Sequence, residues 1–131
     1  MSAQTQSGIA PILLIEDEPS VTAFLRAALE RHGYTVANAA SGAEGLKMLS
    51  GGNYSGVISD IRMPGTVNGA EVHAWIQKNR PELCARIILI SGDTANSETQ
   101  AFLAHSGAPC IEKPFRVQEL MTVVEKTFGK P

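Results

Sequence analysis

Five short apolar runs separated by longer amphipathic segments limit what this chain can fold into. The runs are Ile12 to Ile15, a weaker Tyr34 to Ala37, Gly56 to Ile58, Ile87 to Ile90 and a minimal Pro109 to Ile111. Several are apolar at every position, so neither face suits water, as in parallel strands covered on both sides. Strand and helix alternate five times with mostly short connections, the pattern of an α/β domain. The 131 residues, 44% hydrophobic and 18% charged, are enough for one such core and rule out intrinsic disorder.

The first helix sets Val21, Phe24, Leu25, Ala28 and Leu29 on one stripe, with Pro19 suited to its opening turn and Gly33 to its end. The second opens with Ser41 followed by Glu44, a capping-box spacing, and ends at Gly51 and Gly52. The third repeats the device with Asn68 and Glu71, is expected to bury Val72, Trp75 and Ile76, and stops before Pro81. The fourth, about Ser97 to His105, has a weak apolar face. The fifth sets Val117, Leu120, Val124 and Phe128 on one stripe and closes before Gly129. The expected fold is α/β, a doubly wound five-stranded parallel sheet in flavodoxin-like order 2-1-3-4-5. It occupies residues 10–129 behind a frayed tail, residues 1–9.

Eleven Lys and Arg against thirteen Asp and Glu give a net charge of -2, so there is no general pull toward nucleic acid. The longest apolar runs fall far short of the ~20 residues needed to span a bilayer, and Met1 to Ala10 lack the features of a secretory signal. A cytoplasmic protein is expected. Cys84 and Cys110 form no C-x-x-C pair and have no His at ligand spacing, so two reduced, mostly buried thiols are expected.

In doubly wound sheets, ligands bind beyond the carboxyl ends of the strands where strand order reverses. The residues there are Glu16 and Asp17 after the first run, Asp60 after the third, Ser91 after the fourth and Lys113 after the fifth. Taken singly, each has an ordinary explanation: a helix cap, a strand end or a solvated charge. Accidental capping does not explain four strands delivering matched chemistry to one rim. Three packed carboxylates repel one another unless a cation is supplied, and a set of oxygen donors without His or thiolate suits Mg2+. With Lys113 included, the loaded pocket is neutral. This suits phosphoryl transfer, with Asp60 on the central strand as nucleophile and Lys113 as a point charge. Ser91 can donate its hydroxyl to a phosphoryl oxygen, Asp17 holds the metal directly, and Glu16 holds it through water. Inward movement of Ser91 and Lys113 after transfer offers a switch.

With those positions set out, the chain resembles the receiver domain of two-component response regulators (CheY-like). The segments Leu14-Ile15-Glu16-Asp17-Glu18, Ser59-Asp60-Ile61-Arg62-Met63-Pro64-Gly65, Leu89-Ile90-Ser91-Gly92 and Glu112-Lys113-Pro114-Phe115 match its motifs in order, over roughly residues 10 to 129. The resemblance implies phosphorylation of Asp60 by a His-phosphorylated kinase or phosphotransferase and slow self-dephosphorylation, without turnover catalysis. It implies Mg2+ held by Glu16, Asp17, Asp60 and the Arg62 carbonyl, and a cis Lys113-Pro114 bond. From the resemblance come also the partner expectations: a cognate histidine kinase or histidine phosphotransferase, and a downstream protein target met through the fourth and fifth helices. A monomer or weak homodimer is expected, without nucleic acid or membrane.

The chain departs from the family pattern in two places. Cys110 stands three residues before Lys113, where the family often has Tyr or Phe, so a signal carried by loop and helix displacement around Ser91 to Asn96 is expected, or phosphate relay that needs little switching. Gly65-Thr66-Val67-Asn68-Gly69 carries an apparent extra residue before the third helix. Arg62 and Asp93 are rim residues that would obstruct attacking water if they paired across the pocket; the alternative is two ordinary solvated charges. Three other readings fare worse. A haloacid-dehalogenase-like phosphohydrolase wants a second Asp where Arg62 stands, a flavin carrier would have its phosphate repelled by Glu16-Asp17-Glu18, and a phosphate-blind scaffold would lack part of the set. With only Gly129, Lys130 and Pro131 after Phe128, a stand-alone regulator without an output domain is expected. The alternative is a receiver segment of a hybrid histidine kinase or relay intermediate.

Overall fold

The computed structural model describes residues 10–62 and 67–131. The expected tail, residues 1–9, and Met63 to Thr66 of the second motif and the longer turn lie outside the described residues. Five strands, β1 (Ile12–Ile15), β2 (Val36–Ala39), β3 (Gly56–Asp60), β4 (Ile87–Ser91) and β5 (Cys110–Glu112), form one parallel sheet in the order β2-β1-β3-β4-β5. Five helices join or follow them: α1 (Pro19–Arg31), α2 (Gly42–Gly51), α3 (Gly69–Asn79), α4 (Ser97–Ser106) and α5 (Val117–Phe128), with a short 3-10 turn at Pro81–Leu83.

The uniform apolarity of the central strands follows from two cores, one on each face. Ile12, Leu14, Ile58, Ile88 and Ile90 pack with Leu25, Ala28 and Leu29 of α1 and Leu120, Met121 and Val124 of α5. The alternate residues Leu13, Ile15, Val57, Ile87 and Leu89 pack with Leu49 of α2 and Val72 and Ile76 of α3. Each fully buried Leu or Ile side chain contributes roughly 1.5–3 kcal/mol, enough to settle register against a one-residue slip. Caps define the helix ends. Ser41 Oγ accepts the Glu44 N–H at 3.1 Å, and Asn68 with Glu71 forms a reciprocal box. At α4, Asn96 Oδ1 accepts the Glu98 and Thr99 N–H groups, which secures a helix whose apolar face is weak.

Several expectations on packing need correction. β2 begins at Val36, two residues later than the apolar run, because Tyr34 belongs to the end of α1. Its N–H bonds Leu29 O and that of Gly33, at φ 94°, bonds Glu30 O, a Schellman closure that leaves Tyr34 unable to start the ladder. The Tyr34 hydroxyl instead donates to Gly129 O at 2.6 Å and ties the chain's last helix to the first. Phe24 is 41% exposed, because α1 turns Leu25, Ala28 and Leu29 to the sheet and leaves Phe24 on the rim of that stripe, tilted against Phe115. Val117 is exposed in the same way at the start of α5. On α3 the buried face is Val72, His73 and Ile76, with Trp75 only half-buried. Both cysteines are free and half-buried.

Candidate functional site

Parallel register brings the polar strand ends into line. Ile15 pairs with Ser59, so Glu16 follows β1 level with Asp60, while Asp60 pairs with Ile90 and Ser91 pairs with Glu112. Gly69 closes the floor of this rim: its N–H bonds Ile61 O at 2.9 Å, and a Cβ there would lie 2.6 Å from Asp60 O. Only glycine lets α3 start so near the backbone of β3.

Asp60, Glu16, Asp17 and Lys113 meet at one point. Lys113 Nζ lies 2.6 Å from Asp60 Oδ2, 3.3 Å from Glu18 Oε1 and 3.4 Å from Glu16 Oε2. Asp60 Oδ1 accepts the Arg62 N–H at 3.1 Å, and Glu16 Oε1 accepts the Glu18 N–H at 3.1 Å. Burial pushes the Glu16 carboxyl up to about 7; the Glu18 N–H and Lys113 oppose the rise and Asp60 adds to it. Burial by itself would lower the Lys113 ammonium, but its hydrogen bond and charge contact with Asp60, helped by Glu16, outweigh it and hold the pKa above the ordinary value. Lys113 therefore stays charged throughout the physiological range.

Ser91 is fully buried at the end of β4, where its Oγ accepts the Asp93 N–H at 3.1 Å. The Lys113 N–H donates to Ser91 O at 2.8 Å, so hydroxyl and ammonium ride on one hydrogen-bonded strand pair. The Lys113-Pro114 peptide is cis. Arg62 and Asp93 stand 3.7 Å apart, with both side chains more than half exposed, a geometry in which an ion pair is weak. Cys110 lies half-buried at the start of β5, and burial, then the charges of Glu112 and Asp60, push its thiol pKa up.

The acids fit a divalent cation. Glu16, Asp17 and Asp60 each offer an oxygen within 4.8 Å of the other two, and hard oxygen donors of this kind suit Mg2+. Glu16 Oε2 is buried with no hydrogen bond among the described residues, a polar atom whose desolvation a cation would offset. Two contacts were not read in the sequence. Glu18 is the third neighbour of Lys113, and its only sequence signal is the acid run Glu16-Asp17-Glu18. The Thr94 hydroxyl donates to the Glu112 carboxylate and ties the loop after β4 to β5.

Comparisons with known proteins agree with this geometry. Residues 12–125 match the family described as the response regulator receiver domain. The chain is 33% identical over 126 residues to the sensor kinase CckA of Brucella abortus, covering 95% of this chain and 13% of that protein. It is 32% identical over 115 residues to the response regulator receiver protein CpdR of the same organism, covering 88% of this chain and 93% of CpdR. Among solved structures, the response regulator TrrA of Thermotoga maritima, in complex with Mg(2+)-BeF, superposes with a TM-score of 0.77 at 35% identity, covering 91% of this chain and 99% of that one. The chain thus spans about an eighth of the length of CckA and nearly all of CpdR. Among the described residues, no helix is long and apolar enough to cross a membrane.

Proposed function

The chain belongs to the response regulator receiver family of two-component signalling, phosphoacceptors and not turnover enzymes, and on that premise we propose that residues 10–129 accept a phosphoryl group on Asp60 from a phosphohistidine. In that step an Asp60 Oδ–P bond forms as the P–N bond breaks, and the imidazole leaves with the electron pair and takes up a proton. The observation that carries the reading is the meeting of Asp60 Oδ2 with Lys113 Nζ at 2.6 Å beside two further carboxylates.

The residues divide the work as follows. Asp60 is the nucleophile, held by the Arg62 N–H at Oδ1. Lys113 neutralises charge on the transferred group. Ser91 turns its hydroxyl from accepting the Asp93 N–H to donating to a phosphoryl oxygen, and the Gly92 to Asn96 loop moves with it. Glu16, Asp17, Asp60 and the Arg62 carbonyl hold Mg2+, which when bound offsets negative charge on the acids and the phosphoryl oxygens. Arg62 and Asp93 shield the phosphoryl group from water. Cys110 takes the place of a switching aromatic, so the displacement of loop and helix carries the signal. The partner face for a downstream protein is α4 with α5; α4 fully buries Thr99 alone and is thereby the helix held least firmly.

The kinase or phosphotransferase partner follows from the family. The likeness to CpdR, almost all of whose length is covered, supports a regulator that acts through contacts by itself. The likeness to CckA supports a second reading, a receiver segment within a hybrid histidine kinase. Incubation with phosphorylated histidine kinases or phosphotransferases in Mg2+ buffer, followed by intact-mass spectrometry, tests the central step. A single phosphoryl adduct that disappears in Asp60→Asn and in EDTA is expected. No adduct, or an adduct retained by Asp60→Asn, overturns it.

A further inference from the structure

Glu18 stands at the N-cap of α1 and makes no side-chain capping bond, so its carboxylate is available for other contacts. It reaches across to a residue 95 positions away and lies 3.3 Å from Lys113 Nζ. The ammonium donates to Asp60 Oδ2 at 2.6 Å and to Glu18 Oε1, while Glu16 Oε2 at 3.4 Å is a charge contact without a hydrogen bond. Of these three, Asp60 carries the reaction and Glu16 belongs to the candidate metal set. Glu18 has neither task, and its 59% exposed side chain leaves it free to move.

We propose that Glu18 is a positioning residue that competes with the phosphoryl group for Lys113. This rests on the phosphoacceptor reading above and extends it. Before transfer, Glu18 shares the ammonium with Asp60 and draws it toward the rim. After transfer, the phosphoryl oxygens and the Glu18 carboxylate, all anionic, draw on the same ammonium, so the N–H that Glu18 holds is withheld from the phosphoryl group. Glu18 thus restrains phosphorylation, and it acts through Lys113.

The restraint is modest because the pair is partly solvated: about two- to five-fold in an equilibrium or half-saturation constant, as for other exposed ion pairs. Acetyl phosphate serves as the donor in saturating Mg2+, with label on Asp60 read by intact-mass spectrometry. Glu18→Gln is expected to lower the half-saturating donor concentration about two- to five-fold, with the maximal rate unchanged and Glu18→Asp intermediate. In a Lys113→Ala background the same substitution is expected to have no effect. A second double-mutant cycle on Glu18 and Lys113, read by urea unfolding in EDTA, needs no label and measures the contact itself. An unchanged half-saturation in Glu18→Gln, an equal change without Lys113, or no coupling in the unfolding cycle overturns the proposal. Wild-type protein that takes no label on Asp60 overturns the phosphoacceptor reading and this inference with it; normal labelling indifferent to Glu18 overturns the inference alone.

Discussion

Replacing Glu16 by Gln in metal-free buffer should stabilise this protein at pH 8, although it deletes an acid from the centre of the site. The Glu16 carboxyl is buried and its pKa is pushed up to about 7, against 4.5 for an ordinary glutamate. Because the folded-state value is the raised one, the stability Glu16 contributes is fully present below pH 4.5 and is lost as pH rises through 7. The difference amounts to on the order of 3 kcal/mol by pH 8. Lys113 does not add to this slope, since it is charged in both folded and unfolded chains over that range. Gln keeps the shape and an oxygen for the Glu18 N–H but carries no charge, so the variant should lack the slope. Urea unfolding in EDTA at pH 5 and pH 8 measures it. With about 1–3 kcal/mol per molar of urea for small domains, the midpoint of the variant should exceed that of wild type by about 1 M or more at pH 8, and the gap should close toward pH 5. Adding Mg2+ should narrow the gap at pH 8, because a ligand at a hundred times its Kd stabilises by about 2.7 kcal/mol and the variant has lost a donor. A Gln variant less stable than wild type at pH 8 in EDTA, or a difference independent of pH, would refute the reasoning.

Three further outcomes follow from the geometry. Gly69→Ala should destabilise by about 1–3 kcal/mol and slow labelling of Asp60, since the new methyl meets Asp60 O and Ile61 Cα, backbone atoms with nowhere to retreat; thermal melting and mass spectrometry check both, and an unaltered protein would show that the floor can give. His73 is buried edge-on to Phe102, and burial, then His105, lowers its pKa, so the stability it contributes is present above pH 6.5 and is lost as pH falls through its lower folded-state value. The stability difference between wild type and His73→Asn in Mg2+ should therefore shrink from pH 7 to pH 5, and a constant difference would contradict this. Arg62→Ala should hasten loss of the phosphoryl group by about two- to five-fold, the range open to an exposed pair; an unchanged decay rate would leave Arg62 and Asp93 as solvated charges.

Helix caps and strand ends were legible in the sequence because their chemistry is local. Asn68 and Glu71, three positions apart, can satisfy each other's backbone only at a helix start, and that is where they do so. Asp60, Ser91 and Lys113 each follow an apolar run whose length is readable, and a parallel sheet carries every such end to one rim. The extent of β2 was not legible, because Val36 rather than Tyr34 starts the ladder for a reason that lies in the closure of α1. Phe24 looks like core by periodicity, but helix periodicity gives the direction of a stripe and not which of its edges the sheet covers.

The sequence by itself determined that this is a parallel α/β domain with an acid-rich rim, because period, apolarity and motif order are properties of neighbours along the chain. Tertiary structure alone decided which charges touch. Residues 18 and 113 meet because the segments that follow β1 and β5 both converge on Asp60 at the end of β3, the middle strand, and no spacing along the chain encodes that convergence. The same holds for the orphaned oxygen of Glu16. A carboxylate next to Asp17 reads as a solvated acid until burial removes its water, and only the closed pocket does that.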